Sequence, residues 1–491
     1  MYNKPIRSYI RKGETMQSQI QDFVTPARFK GRTGLQIFVD RFYREGKPPE
    51  QIQERILKQQ DDVIPNWKPD SNGEYQNDYF YGGNLKGITA KLEYINSNGF
   101  DMIYLSPIGL SETSHHYEPI DQLQIDPWIG TWEDFQNLCQ EAHKLDILIV
   151  VDLVFNHMGI KSQIFQEALA NTNSRYHNWF EWKDGKPIFW SGFKNMPQCN
   201  KHNLEYQEYA CNVATYYINM GADGIRLDLG ECLPYDFMTR FRKKVKEFAP
   251  EVLIVSEMWG LDNHRDIPQL NGMQADSVMN YPLGDAIIRW IRYGNDAHFR
   301  YNMEEILKYP KQAQDVLWNH LDTHDTPRAM NMLVGDGILQ DPYKGACWDI
   351  EGPWRHDGWF DTYGFRKWEF EHEQINMEKA KQGLILASTI QYFMPGIPIV
   401  FAGTEVGITG YKDPFNRKPY PWEKANQEIL NHYKELGKIR RDNRKFFGET
   451  GEVIVEVSNL NMKVIRENLF GKMTLNIVRN SNERKIEWKM E

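Results

Sequence analysis

The chain has 491 residues, 41% of them hydrophobic and 25% charged, which excludes a disordered, collagenous or coiled-coil protein and leaves room for a barrel-sized catalytic domain with satellites. With 58 basic against 67 acidic residues the net charge is -9 and no long basic run appears, so the footprint of a nucleic-acid binder is missing and a neutral or small polar partner fits better.

The first residues, MYNKPIRSYIRKGETMQSQIQ, are basic and polar with no apolar run, and read as an arm over 1–33. No stretch reaches the ~18 apolar residues a membrane helix needs, so a soluble cytoplasmic protein without a membrane partner is expected. The five cysteines, Cys139, Cys199, Cys211, Cys232 and Cys347, are odd in number and lack CxxC spacing, which argues against a disulfide framework or a zinc knot.

From Gly34 onward a short β-rich apolar run, a polar loop and a helix-like segment repeat. The runs are GLQIFVDRF from Gly34, DMIYLSPI from Asp101, ILIVVDLVF from Ile147, ADGIRLDL from Ala222, LIVSEMW from Leu253, SVMNY from Ser277, VLWNHLDTHD from Val316 and GIPIVFAG from Gly396. Between them, segments such as TWEDFQNLCQEAHKL from Thr131 and PYDFMTRFRKKVKEFA from Pro234 carry apolar residues at three- and four-residue spacing. Eight such units predict an α/β fold, a closed (β/α)8 TIM barrel, with an open doubly wound sheet as the alternative. No glycine-rich phosphate loop supports that alternative, and no cofactor motif appears.

Two connections exceed the ~2 to 6 residues usual in α/β units. One follows the third strand, over 158–202; the other follows the seventh, over 334–378, and is rich in aromatic residues, including Trp348, Trp354, Trp359 and Trp368. Such faces suit sugar rings, and they equally suit packing the loop onto the barrel. Beyond Leu436 the pattern turns to period two, as in Val453, Val455, Val457 and Met473, Leu475, Ile477. The expected organisation is an arm at 1–33, a catalytic barrel at 34–157 and 203–435 interrupted by an excursion at 158–202 and an insertion at 334–378, and a C-terminal antiparallel β domain at 436–491.

Acids close four of the strands: Asp152, Asp228, Glu257 and Asp325. In a barrel they converge on one mouth, where mutual repulsion makes them costly unless they serve chemistry or bind a cation. A hard cation such as calcium or magnesium is the rival reading. Arg226, two residues before Asp228, already supplies a fixed positive charge on that strand face. Two carboxylates roughly 5 Å apart cleave glycosidic bonds with retention, and neighbouring strands about 4.8 Å apart suit that spacing.

These residues carry a resemblance to glycoside hydrolase family 13, the α-amylase family, through DLVFNH from Asp152, GIRLDLGEC from Gly224, SEMW from Ser256 and THDTPR from Thr323, in that order. MPQCN from Met196 and YFYGGNLKGI from Tyr79 resemble elements of its neopullulanase, cyclomaltodextrinase and maltogenic amylase branch. Further matches are SHHYEPIDQLQIDP from Ser114, DSVMNYPL from Asp276 and MPGIPIVFAGTEVGITG from Met394.

The resemblance implies Asp228 as nucleophile, Glu257 as general acid/base and Asp325 as the acid that binds sugar hydroxyls. It implies His157 and His324 as hydrogen-bonding partners of the sugar at the cleavage position and Tyr117 as the platform beneath it. Arg226 should hold Asp228 ionised, and Glu257 should be protonated at rest. Trp259, Asp152 and His115 read as secondary sugar or scaffold contacts, and Asp413 and Arg417 as contacts further along the glucan or as an ion pair. Asn156 matches a calcium ligand of many α-amylases, so calcium is possible; no cofactor is required.

The implied activity is hydrolysis of α-glucosidic bonds, mainly α-1,4 and possibly α-1,6, in maltooligosaccharides, cyclodextrins or pullulan. A 4-α-glucanotransferase and a non-catalytic glucan-binding protein are the alternatives. That branch carries a β domain of over a hundred residues before the barrel, whereas the barrel here starts near Leu35, so the domain is expected to be absent. The insertion at 334–378 is then expected to wall the acceptor side of the cleft. The run Leu229, Gly230, Glu231, Cys232 after the nucleophile position departs from the branch's small residues followed by Asn and Glu, which leaves linkage and acceptor choice open.

Overall fold

Eight short runs, buried along most of their length, form one parallel sheet whose order identifies a barrel. In the computed structural model, which describes residues 23–47, 55–57, 79–259, 267–334, 372, 374–479 and 484–491, these are β1 (Gly34–Ile37), β2 (Met102–Leu105), β3 (Leu148–Leu153), β4 (Gly224–Leu227), β5 (Leu253–Ser256), β6 (Ser277–Val278), β7 (Trp318–His320) and β8 (Ile397–Phe401). Their spatial order is β6, β5, β4, β3, β2, β1, β8, β7. A parallel pairing of Met279 with Trp318 joins β6 to β7 and closes the ring. The eight expected strands are therefore the eight observed, in closed form. Strands buried on both faces read as continuous apolar runs because helices cover the outside of a parallel sheet.

The covering helices are the amphipathic segments read from the sequence. Among them are α1 (Trp132–Lys144), α2 (Leu204–Asn219), α3 (Tyr235–Phe248), α4 (Tyr281–Tyr293) and α5 (Met377–Phe393). In α1 the side chain of Thr131 accepts from the Asp134 N–H while Asp134 accepts from the Thr131 N–H, a capping box that fixes where the helix starts. Phe135, Leu138, Cys139 and Ala142 are buried from it at three- and four-residue spacing.

The excursion after β3 contains a helix at Gln163–Ala170 and a small hairpin of Trp182–Lys183 with Lys186–Pro187. Bridges His157 to Gln198 and Phe180 to Cys199 fasten it beside the mouth of the barrel. Most of the 334–378 insertion, including its four tryptophans, lies outside the described residues, as do 1–22 of the arm. The rest of the arm is not loose: Phe23, Thr25, Phe29, Arg32 and Thr33 are buried, and Thr25 Oγ1 donates to the Gln312 carbonyl at 2.9 Å.

A helix, α6 (Gln427–Asp442), runs across the expected barrel boundary at 435, and the C-terminal sheet begins only at Glu452. It comprises β9 (Glu452–Val457), β10 (Asn461–Asn468), β11 (Gly471–Arg479) and β12 (Arg484–Met490), paired antiparallel in sequence order. Met473, Leu475 and Ile477 are buried on one face, as their alternation predicts. Among the described residues no helix is long and apolar enough to cross a membrane.

Candidate active site

Register places the acids on successive neighbouring strands. Arg226 of β4 lies opposite Asp152 of β3 and Val255 of β5. Asp228 and Glu257 each immediately follow the last residue of their strands, Leu227 and Ser256, with the Glu257 N–H donating to the Leu227 carbonyl at 3.1 Å. Both side chains therefore emerge at the C-terminal rim of the barrel, side by side.

Arg226 is fully buried and organises the cluster. Its Nη1 donates to both oxygens of Asp152 and to Asp228 Oδ1, each at 2.9 Å, while Nη2 sits 3.0 Å from Glu257 Oε2. A planar guanidinium presents its donors in a fixed fork, which a lysine would not reproduce. Tyr104 and Tyr117 donate their hydroxyls to Asp152 Oδ2 at 2.6 and 2.8 Å. Asp152 is thus the scaffold behind Arg226, held from three sides.

Glu257 accepts two hydrogen bonds: from the Leu229 N–H at 2.7 Å on Oε2 and from Trp259 Nε1 at 3.1 Å on Oε1. The first depends on an unusual backbone. Leu229 adopts a left-handed conformation with φ 48° and ψ 43°, which for a branched side chain carries strain of roughly 1–3 kcal/mol. Gly230 then passes so close to Ser256 that an added Cβ would lie 1.9 Å from its Oγ. The Trp259 ring stacks on Tyr281, centroids 4.2 Å apart and planes 5° from parallel.

Asp325 stands at the other side of the mouth, 27% exposed at its side chain, where Arg417 Nη2 and His324 Nε2 each approach a carboxylate oxygen at 3.2 Å. Arg417 also pairs with Asp413 at 3.3 Å and donates from Nε to the His324 carbonyl at 2.8 Å. The His324 ring stacks on Tyr117, centroids 5.0 Å apart and planes 5° from parallel. His115 stacks on the same tyrosine at 6.0 Å and lies 3.1 Å from Glu118.

Arg226 favours an ionised Asp228, as expected, but other effects oppose it. One guanidinium serves Asp152, Asp228 and Glu257 together, and burial with mutual repulsion outweighs it. Burial raises Asp228 well above the ordinary carboxyl range, raises Glu257 and Asp325, and pushes Asp152 up to about 6. Burial acts oppositely on the histidines: His157 falls to about 4, and His324 and His115 are also lowered, so all three are neutral.

His157 is committed to the protein. Its Nε2 lies 2.7 Å from the Tyr117 carbonyl, its Nδ1 lies 3.3 Å from the Asn156 amide nitrogen, and its ring stacks on Trp190 at 5.5 Å. Asn156 does not present a free oxygen to a cation: its Oδ1 accepts from the buried Lys201 Nζ at 3.0 Å, with Glu181 3.7 Å from the same ammonium. A lysine ammonium already supplies positive charge there, so the residues do not fit calcium. Among the described residues no group of three or more His, Cys, Asp or Glu is arranged to hold a metal ion.

Every expected site residue thus joins one connected cluster about the mouth, His157 through the Tyr117 carbonyl and Asn156 through His157. Sequence reasoning missed Tyr104, Gln36, Tyr281 and Lys201. Gln36 and Tyr104 had a usable signal, a polar atom in the middle of an otherwise apolar barrel strand. Lys201 had none, because its partner lies 45 residues away along the chain.

Comparison with known proteins bears on this cluster. A family model described as the alpha amylase catalytic domain matches residues 23–344. Neopullulanase 2 of Thermoactinomyces vulgaris is 31% identical over 452 residues, 88% of this chain and 65% of that protein. A cyclomaltodextrinase of Thermoanaerobacter pseudethanolicus is 32% identical over 384 residues, 75% of this chain and 58% of that protein. The chain thus spans about three-fifths of the length of these curated relatives. Among solved structures, the type III pullulan hydrolase from Thermococcus kodakarensis superposes with a TM-score of 0.76 and 26% identity, covering 93% of this chain and 77% of that one.

Proposed function

The chain belongs to the alpha-amylase family, and from that premise we propose that it hydrolyses α-glucosidic bonds with retention, mainly α-1,4 and also α-1,6, in maltooligosaccharides, cyclodextrins or pullulan. The observation that carries this reading is the seating of Asp228 and Glu257 on the two terminal nitrogens of one buried guanidinium. The two acids also end neighbouring strands, which lie about 4.8 Å apart, a spacing that suits direct attack by one of them; an inverting pair stands roughly 6.5–9.5 Å apart to admit a water.

In the first step Asp228 attacks the anomeric carbon as the glycosidic C–O bond breaks, and Glu257 gives its proton to the departing oxygen. The product is an ester between Asp228 and the sugar. In the second step Glu257 takes a proton from water, whose oxygen displaces Asp228 from the anomeric carbon. Burial that raises Glu257 supports the first role, and the partly exposed Asp325 carboxylate is placed to accept hydroxyls of the same sugar. Tyr117, stacked on His324, offers the floor. The named relatives support the substrate class. Cys232, an exposed free thiol close after Asp228, favours a reducing compartment and hence the cytoplasm.

Product analysis tests the reading. Wild type and Asp228→Asn are incubated with maltotriose, cyclodextrin, panose and pullulan, and the first-formed anomer is followed by NMR. Release of the α-anomer by wild type alone is expected. A first-formed β-anomer overturns retention, products longer than the substrate assign the chain to transglycosylation, and binding without release assigns it to glucan binding.

A further inference from the structure

We propose that Gln36 is a positioning residue that fixes which nitrogen of His324 carries the proton, and through that ring holds Asp325 in its orientation. The inference rests on the glycosidase reading above and adds to it a residue of β1, outside the motifs that carry the acids.

Gln36 is the one amide in the run GLQI of β1 and is 1% exposed. Its Nε2 lies 2.7 Å from His324 Nδ1, and its Oε1 has no hydrogen-bond partner among the described residues. The His324 ring cannot turn away. Tyr117 stacks on it, Phe38 packs against it with centroids 6.2 Å apart, and Asn416 and Arg417 hold its backbone carbonyl at 2.6 and 2.8 Å. Its far nitrogen, Nε2, is 3.2 Å from Asp325 Oδ2.

A neutral imidazole has one N–H and one bare nitrogen, and the partner of one nitrogen decides the state of the other. With the Gln36 amide N–H on Nδ1, that nitrogen is bare, and the proton sits on Nε2, which faces the Asp325 carboxylate at 3.2 Å. With the amide reversed, Nδ1–H would donate to Oε1 and the bare Nε2 would face a carboxylate oxygen, lone pair against lone pair. Ionised Asp325 and the observed Gln36 orientation therefore select each other. The consequence is a line of contacts running from β1 to the acid: the Gln36 amide on His324 Nδ1, His324 Nε2 beside Asp325 Oδ2, and Arg417 on the second oxygen. It keeps one N–H beside Asp325 where a sugar hydroxyl would otherwise meet a bare acceptor.

The test uses the full chain labelled with 15N-histidine, as wild type, Gln36→Leu and Gln36→Glu, with His324→Asn to assign the resonance. Wild type is expected to show the neutral Nε2–H pattern. Gln36→Leu is expected to lose about 10- to 100-fold in kcat on maltotriose, with KM within about threefold. Gln36→Glu, ionised, accepts from Nδ1–H and moves the proton off Nε2. It loses activity near neutrality and recovers toward acid, where its protonated carboxyl donates to Nδ1 as the amide did. The other charged or titratable groups facing His324, namely Asp325, Arg417, Arg226, Asp413, His115 and Tyr117, are common to all variants, so this recovery is read against the wild-type pH profile. An Nδ1–H pattern in wild type overturns the proposal, as does a Gln36→Leu protein with wild-type kcat and pH profile and only a lowered Tm. If wild type cleaves no α-glucan, the glycosidase reading fails, while the resonance pattern still decides the tautomer.

Discussion

Arg226 reaches Asp228 through one terminal nitrogen and Glu257 through the other, at 2.9 and 3.0 Å, so a single buried cation bridges the two acids assigned opposite roles. Replacing it cannot be local. Arg226→Leu leaves three buried carboxyls without their cation, and removing one partner of a buried pair costs about 3–5 kcal/mol. We expect a Tm drop of several degrees and a fall in kcat/KM of at least about a thousandfold. Arg226→Lys keeps the charge but not the fork, and should recover more Tm than activity; equal recovery of both would argue that charge alone matters.

Trp259→Phe is the sharper probe of Glu257. It deletes the Nε1 donor at 3.1 Å and keeps a ring to stack on Tyr281. A donor to the ionised carboxyl lowers its pKa, so its loss raises Glu257 further and extends the protonated acid to higher pH. The alkaline limb of kcat/KM should move up by roughly half to one pH unit, with Tm within a degree or two of wild type. A limb that moves down, or stays in place, would detach Trp259 from the acid.

The barrel was legible because its period is written in apolar runs that nothing else explains: each of the eight strands is buried on both faces and cannot alternate. The acids were legible because strand ends in a barrel share a mouth. What could not be read is how they divide one cation. That Asp152 faces Tyr104, Tyr117 and Arg226 together depends on strand register, and a one-residue slip would turn Asp152 away from the lumen. The partner of Asn156 was hidden for a related reason, since a lysine in the excursion closes on it across 45 residues of chain. The helix α6 runs across the expected boundary because its buried face continues past Leu436 to Gly437 and Arg440.

Asp152 should set a stability slope in mildly acid solution. Its carboxyl titrates near 3.8 when unfolded and is pushed up to about 6 in the folded chain, chiefly by burial. Between those values the unfolded chain has released a proton that the folded one still holds, so stability falls as pH rises through this window. The contribution is fully present below about pH 4 and is lost above about pH 6, a change on the order of 3 kcal/mol. Asp152→Asn lowers Tm overall by stripping a partner from Arg226, but should flatten that slope. Thermal unfolding followed from pH 4 to 7 for both proteins decides it, and parallel slopes would remove Asp152 from the titrating set.

Lys201 gives the excursion an internal cation. Its ammonium, 6% exposed at the residue, donates to Asn156 Oδ1 at 3.0 Å, tying the segment after β3 to the far end of the loop. Burial of an ammonium is tolerated where an oxygen of this kind and a nearby carboxylate, here Glu181 at 3.7 Å, offset the lost hydration. Lys201→Met removes the donor and leaves Asn156 Oδ1 buried and unpaired, at a cost of about 1–3 kcal/mol. Excess EDTA should leave the wild-type Tm unchanged, and added calcium should not restore the Tm of Lys201→Met, because removing a cation does not add the acidic ligands a divalent ion requires. A wild-type Tm that falls with EDTA and returns with calcium would mean that a divalent ion, and not the lysine, holds this junction together.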